Sequence, residues 1–278
     1  MTARREAIPR RIIQTGRARD RLSDAERAAV ESIRLLAPDF EYLFFDDAAI
    51  EAFVADQYPE HLALFRSFSG DIRRIDLFRY LAVHRLGGFY FDLDFHLEKP
   101  LDSLLHEPAV FPFEKLTIFP WLLAIGMRWQ LGNYAFGAVA GHPFSGALIE
   151  ELAATSLIRK PIVSWWTPPS VRRAFRVYHA TGPGLVSRVY ANRPSHRSDV
   201  AVLLPEQVTS WNRFGIYGQH DCAGTWKRGG SLVGQRWLVR RNVLAKRRCQ
   251  EHKPEDLVAE QAGRALSYGV QSARCLTT

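Results

Sequence analysis

The 278-residue sequence is poor in cysteine: there are three, Cys222, Cys249 and Cys275. They are too few and too scattered for a disulfide framework, and their spacing fits no zinc pattern, so free thiols in a reducing compartment are expected. Long apolar runs are missing too. The longest, over residues 116–127, is broken by Thr117 and Pro120 and falls short of the roughly 20 residues that cross a bilayer. Nothing around Met1-Thr2-Ala3-Arg4-Arg5-Glu6 reads as an apolar leader, so the expectation is a cytoplasmic protein, possible peripheral contact being with an anionic inner membrane face. No internal repeat or low-complexity tract occurs, and 47% hydrophobic with 24% charged residues excludes disordered and collagen-like chains. No nucleic-acid-binding motif occurs either, and nucleic acid is not an expected partner.

What the chain does contain is a basic balance, 37 Lys+Arg against 29 Asp+Glu, which favours anionic partners such as nucleotide phosphates. The stretch from Ile8-Pro9 to Thr15-Gly16 reads as a short buried strand. Ser23-Asp24-Ala25-Glu26 is a capping box that opens a helix with Val30, Ile33, Leu36 and Ala37 on its apolar face. A strand over 42–45 and a helix around 48–54 follow. Next come a helix over about 71–86, stopped by Gly87-Gly88, and a strand over 89–95. Downstream, residues 133–140 are strand-like, Gly141-His142-Pro143-Phe144 opens a helix, Thr181-Gly182-Pro183-Gly184 is a turn, and 200–204 is a strand. This β–α–β–α rhythm predicts one α/β domain with a Rossmann-like, mostly parallel sheet flanked by helices, over residues 1–230. A basic C-terminal extension over 231–278 completes it.

The chemistry concentrates in Gly87-Gly88-Phe89-Tyr90-Phe91-Asp92-Leu93-Asp94. Positions two apart on a strand share a face, so Asp92 and Asp94 present paired carboxylates at the exit of an apolar strand. Such a pair is either a solvated turn edge or a site neutralised by a cation. Hard oxygen ligands suit Mg²⁺ or Mn²⁺, which hold diphosphates. Asp76 and Arg79 share a helical face just upstream. They are either a surface ion pair or a sugar-and-phosphate grip, since Arg forks onto phosphate and Asp accepts hydroxyls. Gly87-Gly88 is either a helix end or a place where backbone approaches a ligand.

Arg74-Ile75-Asp76-Leu77-Phe78-Arg79-Tyr80 followed by Gly87-Gly88-Phe89-Tyr90-Phe91-Asp92-Leu93-Asp94-Phe95 resembles the signature of glycosyltransferases with the DXD sugar-binding motif, glycosyltransferase family 32. The catalytic domains of the large clostridial glucosylating toxins are similar over the same stretch. Weaker echoes lie at Ile8-Pro9 to Gln14-Thr15, at Asn133 with Gly141-His142-Pro143-Phe144, at Thr181-Gly182-Pro183, and at His220-Asp221-Cys222-Ala223-Gly224-Thr225-Trp226.

The resemblance implies a GT-A fold. It also implies retaining transfer of a hexose from a UDP- or GDP-linked donor to a glycan or lipid-linked acceptor, with Mn²⁺ or Mg²⁺, in polysaccharide or glycan biosynthesis. Asp94 would bind the metal directly, and Asp92 would contact ribose and the metal or its water. Asp76 and Arg79 would hold the donor sugar and phosphate, and Asn133 would sit near the transferred sugar. Gln14, Thr15, Gly87, Gly88 and Tyr90 would line the donor, with Thr225 and Trp226 over the diphosphate. The family often shows two adjacent histidines where this chain has His220-Asp221, which leaves either residue as the further metal ligand. Gly16 stands where many members carry an aromatic, so no residue is assigned to stack on the nucleobase.

Two other readings compete. A haloacid-dehalogenase-like phosphatase also places Asp-x-Asp after a strand, but it wants Thr or Val where this chain has His96. A non-catalytic, basic glycan- or nucleic-acid-binding protein is the other. The aromatic middle, Phe111, Phe113, Phe119, Trp121, Trp129 and Trp165-Trp166, is expected to be mostly core, with some rings lining an acceptor groove.

Overall fold

In a computed structural model, which describes residues 7–68, 71–117, 124, 126–156, 169–197, 199–207, 210–221 and 264–266, the chain builds outward from β1 (Arg11–Thr15). This strand pairs in parallel with β2 (Glu41–Phe45) on one side and β3 (Gly88–Phe91) on the other. Parallel neighbours need helical crossovers. The first is α1 (Asp24–Leu36), whose capping box forms as expected: Glu26 N–H donates to Ser23 Oγ at 3.3 Å, and Ser23 N–H donates to the Glu26 carboxylate at 2.7 Å. The return from β2 to β3 uses α2 (Asp47–Gln57), α3 (Pro59–Ser67) and α4 (Asp71–Leu86). The sequence reading missed α3, which Pro59 opens at its first turn.

Past β3 the chain turns into β4 (Phe95–Leu97), then β5 (Ala109–Leu116), β6 (Trp129–Leu131) and β7 (Ala135–Ala138). Helices α5 (Pro143–Ser156), α6 (Pro169–Ala180), α7 (Pro183–Asn192) and α8 (Pro194–Arg197) lead to β8 (Val200–Leu203) and β9 (Gly218–His220). A short β10 (Arg264–Leu266) adds to β8. Among the described residues, eight strands make one sheet in the order β10-β8-β5-β7-β3-β1-β2, with β6 attached to β5. Pairing is parallel except where β7 inserts between β3 and β5 and where β6 meets β5. The expected α/β class with a mostly parallel sheet and flanking helices is therefore what the chain adopts.

Alternation along the strands feeds two cores. Tyr90, Phe111, Phe136 and Phe144 pack with the α4–α5–α7 side, whereas Ile12, Phe89, Phe91 and Val110 pack with Ile33 of α1. Phe111, Phe113 and Trp129 are fully buried, as expected for most of the aromatic middle. Trp121, Trp165, Trp166, Phe119, the three cysteines, Thr225, Trp226 and the basic stretch at 236–248 lie outside the described residues.

One expected element is different. The strand at 89–95 is two strands: β3 ends at Phe91, Leu93 and Asp94 form a turn closed by Phe95 N–H donating to Asp92 C=O at 3.1 Å, and β4 starts anew in a separate two-stranded sheet with β9. Asp92 and Asp94 are thus brought together by a turn, not by strand period. Packing explains the break. Phe91 stacks on Phe95 with centroids 4.5 Å apart, which requires the chain to fold back between them. On the far side of β4, Ser32 Oγ of α1 accepts the Leu97 N–H at 3.0 Å and fixes where the hairpin lands.

Candidate active site

The ends of parallel strands β1 and β3, the segment that leads into antiparallel β7 and helix α4 converge on Asp92. Its N–H donates to Tyr134 C=O at 2.8 Å, and its C=O accepts from Gln14 Nε2 at 3.2 Å. The Tyr90 hydroxyl, two residues back on the same face, donates to Asp92 Oδ1 at 2.9 Å. Arg79 Nη2 lies 3.2 Å from the same Oδ1 and 3.3 Å from Asp76 Oδ1, while Nη1 donates to Asn133 C=O at 2.6 Å. Asp76 and Arg79, three apart on α4, are both almost fully buried, so the surface-ion-pair alternative is excluded. Asp76 also accepts from Asn133 Nδ2 at 3.1 Å and from Thr181 Oγ1 at 2.6 Å, and Asn133 Nδ2 contacts Tyr80 Oη at 3.1 Å.

Opposite this network stands His220. The β4–β9 pairing sets Phe95 against His220 and draws the imidazole across the turn, Nε2 lying 3.0 Å from Asp94 Oδ1 and 3.9 Å from Asp92 Oδ2. Tyr134 stacks on the ring at 4.5 Å, nearly parallel, and sets its tilt. One ligand atom each from Asp92, Asp94 and His220 falls within 4.8 Å of the others. The chemistry of this set fits a divalent cation. Carboxylate and imidazole both serve Mn²⁺, and the carboxylates of Asp76, Asp92 and Asp94 outnumber the single Arg79 guanidinium of the cluster. Asp221 points elsewhere. Its carboxylate is 3.3 Å from His96 Nε2, and only its backbone N–H, on Asp94 C=O at 2.9 Å, touches the turn.

Burial sets the protonation states. Removal from water raises the Asp76 carboxyl above the usual range, and the Arg79 charge only partly counters it. Asp92 is raised by the same burial, opposed by Arg79 and then His220. Burial alone would lower Arg79, but Asp92, Tyr90 and Asp76 outweigh it and hold the guanidinium charged. The phenols of Tyr80 and Tyr90 are pushed well up by burial, which keeps them protonated donors.

The other expected donor contacts take different places. Gln14 is buried, its amide N–H on Asp92 C=O and its Oε1 accepting from the Tyr42 hydroxyl at 2.6 Å. Thr15 is 3.1 Å from the buried Tyr90 hydroxyl. These residues therefore support the turn from below. Gly87 and Gly88 stand at the opposite end of β3, about 13 Å along the strand from Asp92. Gly87 closes α4 with its N–H on Val83 C=O and φ of +63°, and a Cβ on Gly88 would lie 2.7 Å from the Arg11 carbonyl oxygen. The helix-end alternative is the one their geometry matches. Sequence reasoning missed Thr181, Tyr80 and Tyr134 as members of this cluster. Tyr80 was one helical turn from Asp76, and Tyr134 was next to Asn133; those neighbourhoods were the available signal.

Fold and site together define an α/β domain with an Asp–Asp–His cluster and a buried Asp–Arg pair at the C-terminal ends of its parallel strands. Residues 23–111 match the family described as glycosyltransferase sugar-binding region containing DXD motif. The chain is 28% identical over 204 residues to inositol phosphoceramide mannosyltransferase 2 of Schizosaccharomyces pombe, covering 71% of this chain and 52% of that protein. It is 30% identical over 185 residues to the mannosyl phosphorylinositol ceramide synthase SUR1 of Saccharomyces cerevisiae, covering 66% of this chain and 42% of the relative. The chain thus spans about half, or less, of these curated relatives' length. Among solved structures it is similar to the PaToxG glycosyltransferase, with a TM-score of 0.44 and 13% identity over 68% of this chain and 72% of that one. The family match favours the sugar-transfer reading over the phosphatase and non-catalytic ones.

Proposed function

We propose that this chain is a metal-dependent, retaining glycosyltransferase that moves a hexose, mannose by its relatives' names, from a nucleotide-diphosphate donor to a hydroxyl on a lipid-linked or glycan acceptor. The observation that carries this reading is the Asp92–Asp94–His220 cluster set directly against the buried Asp76–Arg79 pair. Asp92, Asp94 and His220 would hold Mn²⁺ or Mg²⁺, which when bound supplies positive charge to a diphosphate leaving group. Arg79 is fixed on three sides, so its charge is already oriented towards the place where the diphosphate would develop negative charge. Asp76, held by Thr181 and Asn133, is placed to accept sugar hydroxyls, and Asn133 to position the ring. A net charge of +8 supports work at an anionic lipid surface on the cytoplasmic side, and no described helix is long and apolar enough to cross a membrane.

The test is a thermal-shift series with GDP or UDP, with and without Mn²⁺, followed by transfer from the matching sugar nucleotide. At 100 times the dissociation constant a ligand stabilises the native state by about 2.7 kcal/mol. The shift is expected only with metal and nucleotide together, and Asp94→Asn is expected to abolish it and the transfer. A wild-type protein that shifts with neither nucleotide overturns the reading.

A further inference from the structure

A cavity of about 300 Å³ opens between α1 and β2, the last strand of the sheet on that side among the described residues. Its floor is apolar: Tyr42 and Phe44, two apart on β2 and so on one face, are half-buried there beside Val30 of α1. Its rim is charged and exposed. Glu31 and Arg34, three apart on α1, share a helical face, and Arg19 reaches in from the single 3₁₀ turn between β1 and α1. The Arg19 guanidinium lies 5.3 Å from the Phe44 ring centroid and 5.8 Å from that of Tyr42, and Arg34 lies 5.1 Å from the Tyr42 centroid. Arg27, also on the rim, is tied to Asp24 and the Leu22 carbonyl, but among the described residues Arg19, Glu31 and Arg34 enter no ion pair. Half-open aromatic rings under unpaired guanidinium planes are a stacking platform for another flat ring.

Two sets of contacts join this cavity to the candidate active site. The Tyr42 hydroxyl donates to Gln14 Oε1 at 2.6 Å, and Gln14 Nε2 donates to the Asp92 carbonyl at 3.2 Å. Phe44 and Leu93, the residue between the two clustered acids, meet across Gly16: a Cβ there would lie 2.9 Å from Phe44 Cζ and 2.7 Å from Leu93 Cδ1. The wall of the cavity therefore abuts the turn that carries Asp92 and Asp94. In the sheet, β2 stands two strand spacings, about 10 Å, from β3. That separation matches a ribose bearing one phosphate.

We infer that this cavity receives the purine of the donor and selects guanine over uracil, an inference that rests on the nucleotide-sugar reading above. The fork of a guanidinium matches the paired acceptors O6 and N7 of guanine. A carboxylate, which only accepts, matches the paired donors N1–H and N2–H₂ on the next edge of the same ring. Arg19, which spans both aromatic rings, takes the first role, Glu31 the second, and Phe44 packs against the base. Uracil presents isolated acceptors and one N–H, so it fills neither pair. Arg19 and Glu31 are thus specificity-determining residues for the donor base, separate from the groups that face the diphosphate and the sugar.

The experiment is calorimetric titration of the full chain with GDP and with UDP, in Mn²⁺, for wild type, Glu31→Gln and Arg19→Gln. Wild type is expected to bind GDP at least about tenfold more tightly than UDP, the discrimination of one bidentate base contact. Each variant is expected to lose about tenfold in GDP affinity and less than about twofold in UDP affinity, with its melting temperature without nucleotide unchanged because both side chains are exposed. A merely electrostatic rim gives a different pattern: Glu31→Gln then binds both nucleotides more tightly and Arg19→Gln binds both more weakly, and that pattern overturns the inference. So does a wild type that binds GDP and UDP alike, or a pair of variants that change neither; each leaves the donor reading standing, since a nucleotide still binds with metal. A wild type that binds neither nucleotide overturns both.

Discussion

Replacing Arg79 by methionine tests the network at its most connected atom. The guanidinium is 2% exposed, bridges Asp76 and Asp92, and donates to the Asn133 carbonyl at 2.6 Å. Methionine matches much of its length but removes the charge. Asp76, 3% exposed, then keeps its hydrogen bonds from Thr181 and Asn133 while losing the cation that offsets its burial. Breaking a buried ion pair from one side costs about 3–5 kcal/mol. At about 2–4 °C per kcal/mol for a domain of this size, the melting midpoint should fall by about 6–20 °C. The cause is the stranded carboxylate and not lost packing, so adding Asp76→Asn to the Arg79→Met variant should recover a large part of the loss even though it is a second change in the core. The assay is chemical and thermal denaturation of wild type, both single variants and the double variant, without nucleotide. Strictly additive destabilisation, or an Arg79→Met loss below about 1 kcal/mol, would refute the claim that the pair is a buried, mutually dependent unit.

Other outcomes follow from local geometry. Gly88→Ala places a Cβ 2.7 Å from the Arg11 carbonyl oxygen at φ +103°, and should cost on the order of 3 kcal/mol in urea denaturation. Gly146→Ala, inside α5 with nothing nearer than His84 Cε1 at 3.5 Å, should instead stabilise by about 0.5–1 kcal/mol. Burial lowers His142 from 6.5 to about 4, so between those values the unfolded chain binds a proton that the native one does not. Stability should therefore be full above pH 6.5 and decline by about 3 kcal/mol as the pH falls to about 4. His142→Asn should flatten that window in pH-dependent denaturation, since protonation also removes the acceptor that Nδ1 offers to the Phe144 N–H.

Much of this arrangement was legible before any coordinates, and for definable reasons. Helical period put Asp76 and Arg79 on one face, the capping box fixed where α1 begins, and the glycine pair ended α4, all of which are relations within a few residues. Relations across the sheet were not legible. The antiparallel insertion of β7 brings Asn133 and Tyr134 to Asp76, Arg79 and His220, and no local pattern in residues 133–140 announces that pairing. The turn at Asp92–Asp94 was hidden for a related reason. Phe89, Phe91 and Phe95 read as one apolar strand, but Phe95 belongs to a second sheet whose partner strand, β9, lies more than a hundred residues on. The consequence is chemical as well as topological. On a single strand the two carboxylates would stand about 6.6 Å apart along the chain. Turning the backbone between them and pairing β4 with β9 is what gathers two carboxylates and an imidazole within reach of one cation. The geometry that would hold a cation is therefore a property of the strand break, to which the aromatic stack of Phe91 on Phe95 contributes.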